Sequence, residues 1–476
     1  MRVLFVTSEC AGLFKKGGLG DVSYALPVAL RTLGVHMAIV MPYYEKIKAG
    51  HVACVGQLAV DFDRRRELIF VFKTNLPGST IPVYLFRHPL FHHYKTANMA
   101  EAFAFFSKAV AQFYLYANPL LGGPYDIVHC QDWHTALVPM LIGEERKVGK
   151  KVRTLASAQV RTVFTIHNHL YKGETGVMTI LKLGLPRSLF HVYDTSLGSA
   201  IKLMREALEY ADQITTVSPT YARELITHEH GDEINAVMKR RANKVVGILN
   251  GIDQHRWNPR SDTALLHTYD KDSVKSGKLR NKRALRTSFR LPDSSGPLFG
   301  FVGRLEFRQK GLDLIIKAVE TLATQNFQLF ILGEGSAKSQ LKLTEFAKLH
   351  GNVRFVHTFD ERLARRVYAA ADVILVPSKF EPCGLIQMIA QRYGALPLVR
   401  KTGGLADTVM DGKTGFVFEK YRANALAQKM HDAMKLYLTK PETWQDMVIA
   451  AMRQDFSWDR SARAYKELYA KLVKNM

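Results

Sequence analysis

The sequence predicts an α/β fold in two halves, each a parallel sheet wound with helices. Three observations carry that expectation. Short β-branched apolar runs alternate with amphipathic helical stretches along the chain. The runs fall into two series, separated by a polar and basic segment over 262–291. Each half also holds one copy of a glycine-rich turn, KKGGLGD at 15–21 and KTGGLAD at 401–407.

The elements follow in order. Residues 2–8 read as a strand, then comes the loop 15–21 and a helix through Ala25 and Leu33. Further strands are expected at 36–42, 125–130, 162–166 and 213–217. The second series starts near Pro297 with PLFGFVG, FQLFILG, VRFVH, DVILVP and LPLV, each followed by a loop and a helical stretch. Trp458, Ala462, Tyr465, Leu468, Tyr469 and Leu472 form a closing helical stripe. The expected domains are therefore 1–261 and 262–455, followed by a C-terminal helix at 456–476.

Composition narrows the function class. With 476 residues, 47% of them apolar and 23% charged, the chain has the balance of a globular protein of two or three domains. No stretch reaches the ~20 apolar residues of a membrane span, and the start MRVLFVTSE lacks the long apolar core of a signal peptide. Cys10, Cys54, Cys130 and Cys383 show no paired spacing, so reduced thiols in the cytoplasm are expected. A net charge of +23 raises nucleic-acid binding, but the basic residues are spread out. Their one concentration, 271–290, reads as a solvated helix between domains, so neither a nucleic-acid nor a membrane partner is expected.

The chemistry-bearing residues cluster at strand ends, where open α/β sheets bind ligands. The two glycine turns allow a ligand close to backbone amides at a helix N-terminus, which favours anions. They involve Lys15, Gly18 and Asp21 in one half and Thr402, Gly403 and Gly404 in the other. Neither fits G-x-G-x-x-G or the Walker lysine pattern, which disfavours a dinucleotide dehydrogenase or a P-loop ATPase. Gly303-Arg304-Leu305 and Gln309-Lys310-Gly311 share one strand-to-helix loop, and Arg with Lys suits a phosphate.

Ser378–Leu385, SKFEPCGL, offers Glu381 for sugar hydroxyls and the amides around Gly384 and Leu385 for phosphates. Cys383 reads as a small packed residue, since no partner His is placed for a nucleophile. His167 closes a strand in TIHN, while Asp132 and Trp133 in HCQDWH are acceptor-side candidates, with helix capping and core packing as their plainer readings. The pairs Asp61 and Asp63, and Asp270 and Asp272, read as surface acids. The histidines at 88, 92, 93, 228 and 230 lack a matching ligand set, so no metal is expected.

KGGLGDV at 16–22, HCQDWH at 129–134, TIHN at 165–168 and TVSPTYARE at 216–224 occur in order. They are followed by ILNGID…WNP at 248–259, GRL…QKG, ADVILVPSKFEPCGL at 371–385 and TGGLADTV at 402–409. DFSWDRSARAYKELY at 455–469 completes the set, which closely resembles the bacterial and plastid glycogen/starch synthases over nearly the whole chain. The resemblance implies two Rossmann-like domains in the GT-B arrangement, with the active site in the interdomain cleft and the C-terminal helix at 456–476 crossing back to the first domain. It implies α-glucosyl transfer from ADP-glucose to the non-reducing end of an α-1,4-glucan, with retention, no cofactor and no essential metal. It places Lys15, Arg304 and Lys310 on the donor phosphates, and Glu381 and His167 on the transferring glucose. Asp21 and Asn250 would line the donor site, with Phe359 against the base. Three positions depart from the common pattern: the Arg304–Lys310 spacing is one residue longer, Ile386 replaces a frequent Thr, and Phe359 lacks a Tyr hydroxyl. A UDP-glucose-using or dual-donor glucan synthase, or another GT-B glycosyltransferase, is the alternative.

Overall fold

The computed structural model of the protein describes all residues except 48, 97, 117, 149–159, 197, 228–233 and 475–476. The chain divides into two compact units. Unit 1 comprises 1–217, 222–249 and 458–476, and unit 2 comprises 218–221 and 250–457.

Unit 1 carries β1 (Arg2–Val6), β2 (His36–Pro42), β3 (Ala53–Phe62), β4 (Arg65–Asn75), β5 (Pro82–Arg87), β6 (Ile127–Gln131) and β7 (Arg161–Ile166). A small antiparallel sheet follows, β8 (Glu174–Gly176), β9 (Tyr193–Thr195) and β10 (Gly198–Lys202), and then β11 (Gln213–Thr216) and β12 (Val245–Gly247). The main sheet runs β12-β11-β7-β6-β1-β2-β5-β4-β3. It is parallel as far as β5, and β4 and β3 add an antiparallel margin. Strand order reverses between β1 and β6, so the loops after these two strands border the crevice where such sheets take ligands.

The inner strands are apolar on both faces because helices cover both. On one side helix Gly18–Thr32 and helix Trp458–Lys474 lie together, sharing a core of Val22, Leu26, Leu30, Ala462, Tyr465 and Tyr469 with Val3, Phe5 and Ile39 of the sheet. The closing helix thus belongs to unit 1, although all of Asn250–Ser457 precedes it.

Unit 2 is wholly parallel, with β13 (Leu298–Val302), β14 (Gln328–Gly333), β15 (Val353–His357), β16 (Val373–Val376), β17 (Leu396–Arg400) and β18 (Phe416–Phe418). Its order is β15-β14-β13-β16-β17-β18, and the reversal falls between β13 and β16. The loops that leave these two strands carry Arg304 with Lys310, and Glu381 with Gly384.

The segment 262–291 differs from its reading as a solvated linker. Helix Val274–Phe289 is part of unit 2 and buries Val274, Lys278, Lys282, Leu285 and Arg286. These basic residues are paired inside: Lys278 Nζ donates to the carbonyls of Tyr368, Ala369 and Tyr393, and Lys282 meets Asp372 at 2.5 Å. Burial pushes the Lys278 amine down to about 7. The units therefore part between Leu249 and Asn250, twelve residues before the expected boundary. Among the described residues, no helix is long and apolar enough to cross a membrane.

Candidate active site

In unit 2, β13 ends at Val302 and the chain turns through Gly303 into the short helix Phe307–Lys310. That turn aims Lys310 at the loop after β16, where its Nζ lies 2.7 Å from Glu381 Oε2. Ser378 Oγ donates to the same oxygen at 2.9 Å, so Oε1 keeps no protein partner among the described residues. Both ends of the ion pair are largely shielded, with side chains 13% and 11% exposed. The Glu381 loop is braced by Arg400, whose Nε donates to the Ser378 carbonyl at 2.9 Å.

The second glycine turn packs backbone to backbone on this loop. A Cβ on Gly403 (φ +44°) would sit 1.9 Å from the Glu381 carbonyl oxygen, and one on Gly404 2.1 Å from that of Cys383. Only glycine permits this approach, and Gly404 N–H bonds the Glu381 carbonyl at 3.2 Å. Thr402 is buried as the N-cap of helix Gly403–Thr408, and Leu385 holds the N-cap of helix Ile386–Arg392 after Gly384 at φ +71°.

Arg304 does not join the Lys310–Glu381 pair. Its side chain is 62% exposed and reaches Gln309 at 3.3 Å and Glu306 at 3.7 Å. Asn250 is buried, and its Oδ1 has no hydrogen-bond partner. Phe359 stands 83% exposed at the end of the β15 loop, with its N–H on Glu334 Oε1 at 3.0 Å. An exposed aromatic at a strand-end loop suits a flat ring as partner.

In unit 1, the glycine turn opens helix Gly18–Thr32, and Lys15 Nζ pairs with Asp21 at 2.6 Å. The turn is held from below by Glu9, a buried carboxylate that accepts the N–H groups of Lys16 and Gly17 (the latter at 3.0 Å). His167 follows β7 and bonds Gln131, the last residue of β6, at 2.9 Å. Burial pushes the His167 imidazole down to about 3, so the ring is neutral near pH 7.

Asp132 sits at φ +58°, a left-handed conformation that turns the chain sharply out of β6. Burial pushes its carboxyl up to about 8, opposed by the amides of Trp133, His167 and Asn168. Its Oδ1 lacks a hydrogen-bond partner. Trp133 is no open sugar platform: it is buried, stacked on His134 at 4.0 Å and edge-on to Phe103 at 5.4 Å. Its packing fixes the direction of the loop that carries Asp132.

Among the described residues, no group of three or more His, Cys, Asp or Glu is placed to hold a metal. His88 pairs with Glu67 and His93 with Glu45, while His228 and His230 lie outside the described residues. Cys383 is buried, and burial pushes its thiol up to about 12, against a nucleophilic role.

Two families match the chain in tandem, the starch synthase catalytic domain over residues 2–240 and the glycosyl transferases group 1 over 286–452. A glycogen synthase from Thioalkalivibrio sulfidiphilus is 37% identical over 99% of this chain and all of its own. One from Geobacillus stearothermophilus is also 37% identical, over 100% of this chain and 98% of its own. The chain belongs to the glycogen and starch synthase family. Among solved structures, the catalytic domain of starch synthase IV from Arabidopsis thaliana, bound to ADP and acarbose, superposes with a TM-score of 0.86. It is 31% identical over 99% of both chains. A sucrose-phosphate synthase from Thermosynechococcus elongatus shares the fold alone, at 17% identity over the whole of both chains and a TM-score of 0.61. This glycogen and starch synthase family member is accordingly a hexosyltransferase with the two-domain GT-B α/β fold.

Three groups of this synthase escape sequence reasoning: Glu9 under the glycine turn, Gln131 on His167 and Ser378 on Glu381. Gln131 meets a partner that follows a different strand, whereas Ser378 and Glu9 act within their own loops, on Glu381 and on the amides of Lys16 and Gly17. Their one visible signal is position, within a few residues of a strand's carboxyl end.

Proposed function

We propose that the chain is an ADP-glucose-dependent α-1,4-glucan synthase that adds glucose, with retention, to the non-reducing 4-hydroxyl of glycogen. The observation that carries this reading is the Lys310–Glu381 pair at the strand-order reversal of unit 2. As the bond from glucose C1 to the diphosphate breaks, the sugar ring gains positive character and the diphosphate gains negative charge. A shielded carboxylate beside a shielded ammonium supplies one stabilising group for each end. Arg304, whose side chain is largely exposed, and Lys15 add charge on the diphosphate. The amides around Gly18, Gly384, Leu385, Thr402, Gly403 and Gly404 take the remaining phosphate oxygens.

His167, neutral and held through one nitrogen by Gln131, hydrogen-bonds the transferring glucose without opposing the developing ring charge. Asp21 and Asn250 line the donor, Phe359 covers the base, and Asp132 faces the acceptor. ADP as the nucleotide is supported by the Arabidopsis neighbour, which holds ADP. With Lys310 and Arg304 neutralising the leaving group, the reaction requires no metal and no cofactor. Four unpaired cysteines support a cytoplasmic place.

The test is glucose incorporation into glycogen, with ADP-glucose and UDP-glucose run side by side before and after EDTA treatment. The expected result is a higher kcat/KM with ADP-glucose and activity that survives chelation. A ratio favouring UDP-glucose would overturn the donor. A loss restored by magnesium or manganese would overturn the role of the cations.

A further inference from the structure

A chain of four hydrogen-bonding side chains crosses the interior of unit 1 one layer beneath His167. Tyr469 OH, from the closing helix Trp458–Lys474, lies 2.7 Å from His129 Nδ1 on β6. His129 Nε2 lies 2.6 Å from Thr165 Oγ1 on β7, and that oxygen lies 2.6 Å from Thr215 Oγ1 on β11. All four residues are fully buried. Packing alone does not call for this set, because phenylalanine and valine would fill the same space without burying polar groups.

The chemistry of the groups gives the chain a direction. Burial keeps His129 neutral, with its pKa pushed down to about 3, so one ring nitrogen donates and the other accepts. A phenol is a stronger acid than a threonine hydroxyl, and so the better donor. Tyr469 therefore donates to His129 Nδ1, His129 Nε2–H donates to Thr165, and Thr165 donates to Thr215. Breaking the first link frees His129 to exchange tautomers and leaves an acceptor unpaired in the core.

The chain also lies directly under the site. Side chains two apart on a strand share a face, so His129 stands below Gln131 on β6, and Thr165 stands below His167 at the end of β7. Gln131 and His167 form the upper rung at 2.9 Å, and His129 and Thr165 form the lower one. The helix that supplies Tyr469 also packs along helix Gly18–Thr32, with Lys466 Nζ on the Leu33 carbonyl at 2.7 Å.

We propose that Tyr469 is a positioning residue for the transfer reaction: it fixes the Nε2–H tautomer of His129 and, through Thr165 and Thr215, sets the strand ends that aim Gln131 and His167. This rests on the reading of His167 as a ligand of the transferring glucose. Tyr469 touches no substrate, so the effect falls on turnover and leaves donor binding in place.

The test combines four variants of the full chain with one spectroscopic measurement. Tyr469→Phe is expected to lower kcat by about tenfold, with the donor KM held within about twofold. Thr215→Val, at the far end of the chain, acts in the same direction. The double variant loses no more than the worse single one, because both cut one continuous chain. Nitrogen-15 spectra of histidine-labelled protein should show His129 protonated at Nε2 and bare at Nδ1, a pattern that Tyr469→Phe degrades. His167→Ala separates the two readings. If it keeps normal kcat, the glucose-ligand role falls. If it loses turnover while Tyr469→Phe does not, or if wild-type His129 is protonated at Nδ1, the positioning role of Tyr469 falls.

Discussion

Lys310 and Glu381 meet through one carboxylate oxygen, which leaves the other oxygen of Glu381 for a ligand. Removing a preorganised charge from such a site costs ~10²–10³ in turnover. Glu381→Gln and Lys310→Ala should each lose kcat on that scale. In Glu381→Gln the amide oxygen still accepts from Ser378 and Lys310, so the stability loss should stay near ~1–2 kcal/mol. Measuring kcat and melting temperature on both variants separates catalysis from loop support. Near-normal turnover in folded Glu381→Gln would sink the assignment. Asp132 carries a second prediction. Its folded pKa, about 8, lies above the ordinary carboxylate value, so between these pH values the unfolded chain has lost a proton that the folded one keeps. Its contribution to stability is complete below pH ~4 and is lost as pH rises towards 8, by at most ~1.4 kcal/mol per pH unit. Asp132→Asn has no such proton. The stability of the variant relative to wild type should climb from pH 4 to 8 and then level off, as read by urea titrations at each pH. A constant difference would mean that the carboxyl is already ionised at pH 5.

At the scale of elements, the β3–β4 hairpin offers the sharpest check. Its two-residue loop, Asp63-Arg64, has φ of +50° and +61°, the backbone of a type I′ turn, in which glycine is the favoured second residue. Arg64→Gly should stabilise unit 1 by ~0.5–1 kcal/mol, seen as a higher urea midpoint. A lower midpoint would show that the Arg64 side chain contributes more than its backbone costs. This hairpin also shows what the sequence conceals. The parallel strands β1, β2, β13 and β14 are legible because strands buried on both faces read as unbroken apolar runs. On β4, Leu68 and Phe70 face outward while Ile69 and Val71 face the core, so no polar alternation marks the element. Helix Val274–Phe289 misleads in the opposite sense, because Lys278 and Lys282 look solvated until the carbonyls and Asp372 that receive them are in view. The site divides in the same way. Glycine turns announce themselves, since their backbone constraint is local, whereas Gln131 matters through a partner set by the fold, and Glu9 and Ser378 through loop conformations that no residue pattern marks.

At the scale of the whole molecule, the order of parts along the chain has a consequence for biosynthesis. Unit 1 is interrupted at Leu249 and is completed only by Trp458–Met476, after all of Asn250–Ser457. At about 5–20 residues per second, the ribosome spends roughly 10–40 s on the interval between them. Through that interval the nascent first unit holds an open apolar face beside helix Gly18–Thr32, where Trp458, Ala462, Tyr465 and Tyr469 will later lie. It also holds His129 without its phenol partner. Unit 2, by contrast, has all but four of its residues in one uninterrupted run, so it can mature while the earlier unit waits. The half made first is thus the last to be finished, and a newly made chain is exposed to chaperones and to aggregation mainly through a surface that the mature protein never shows.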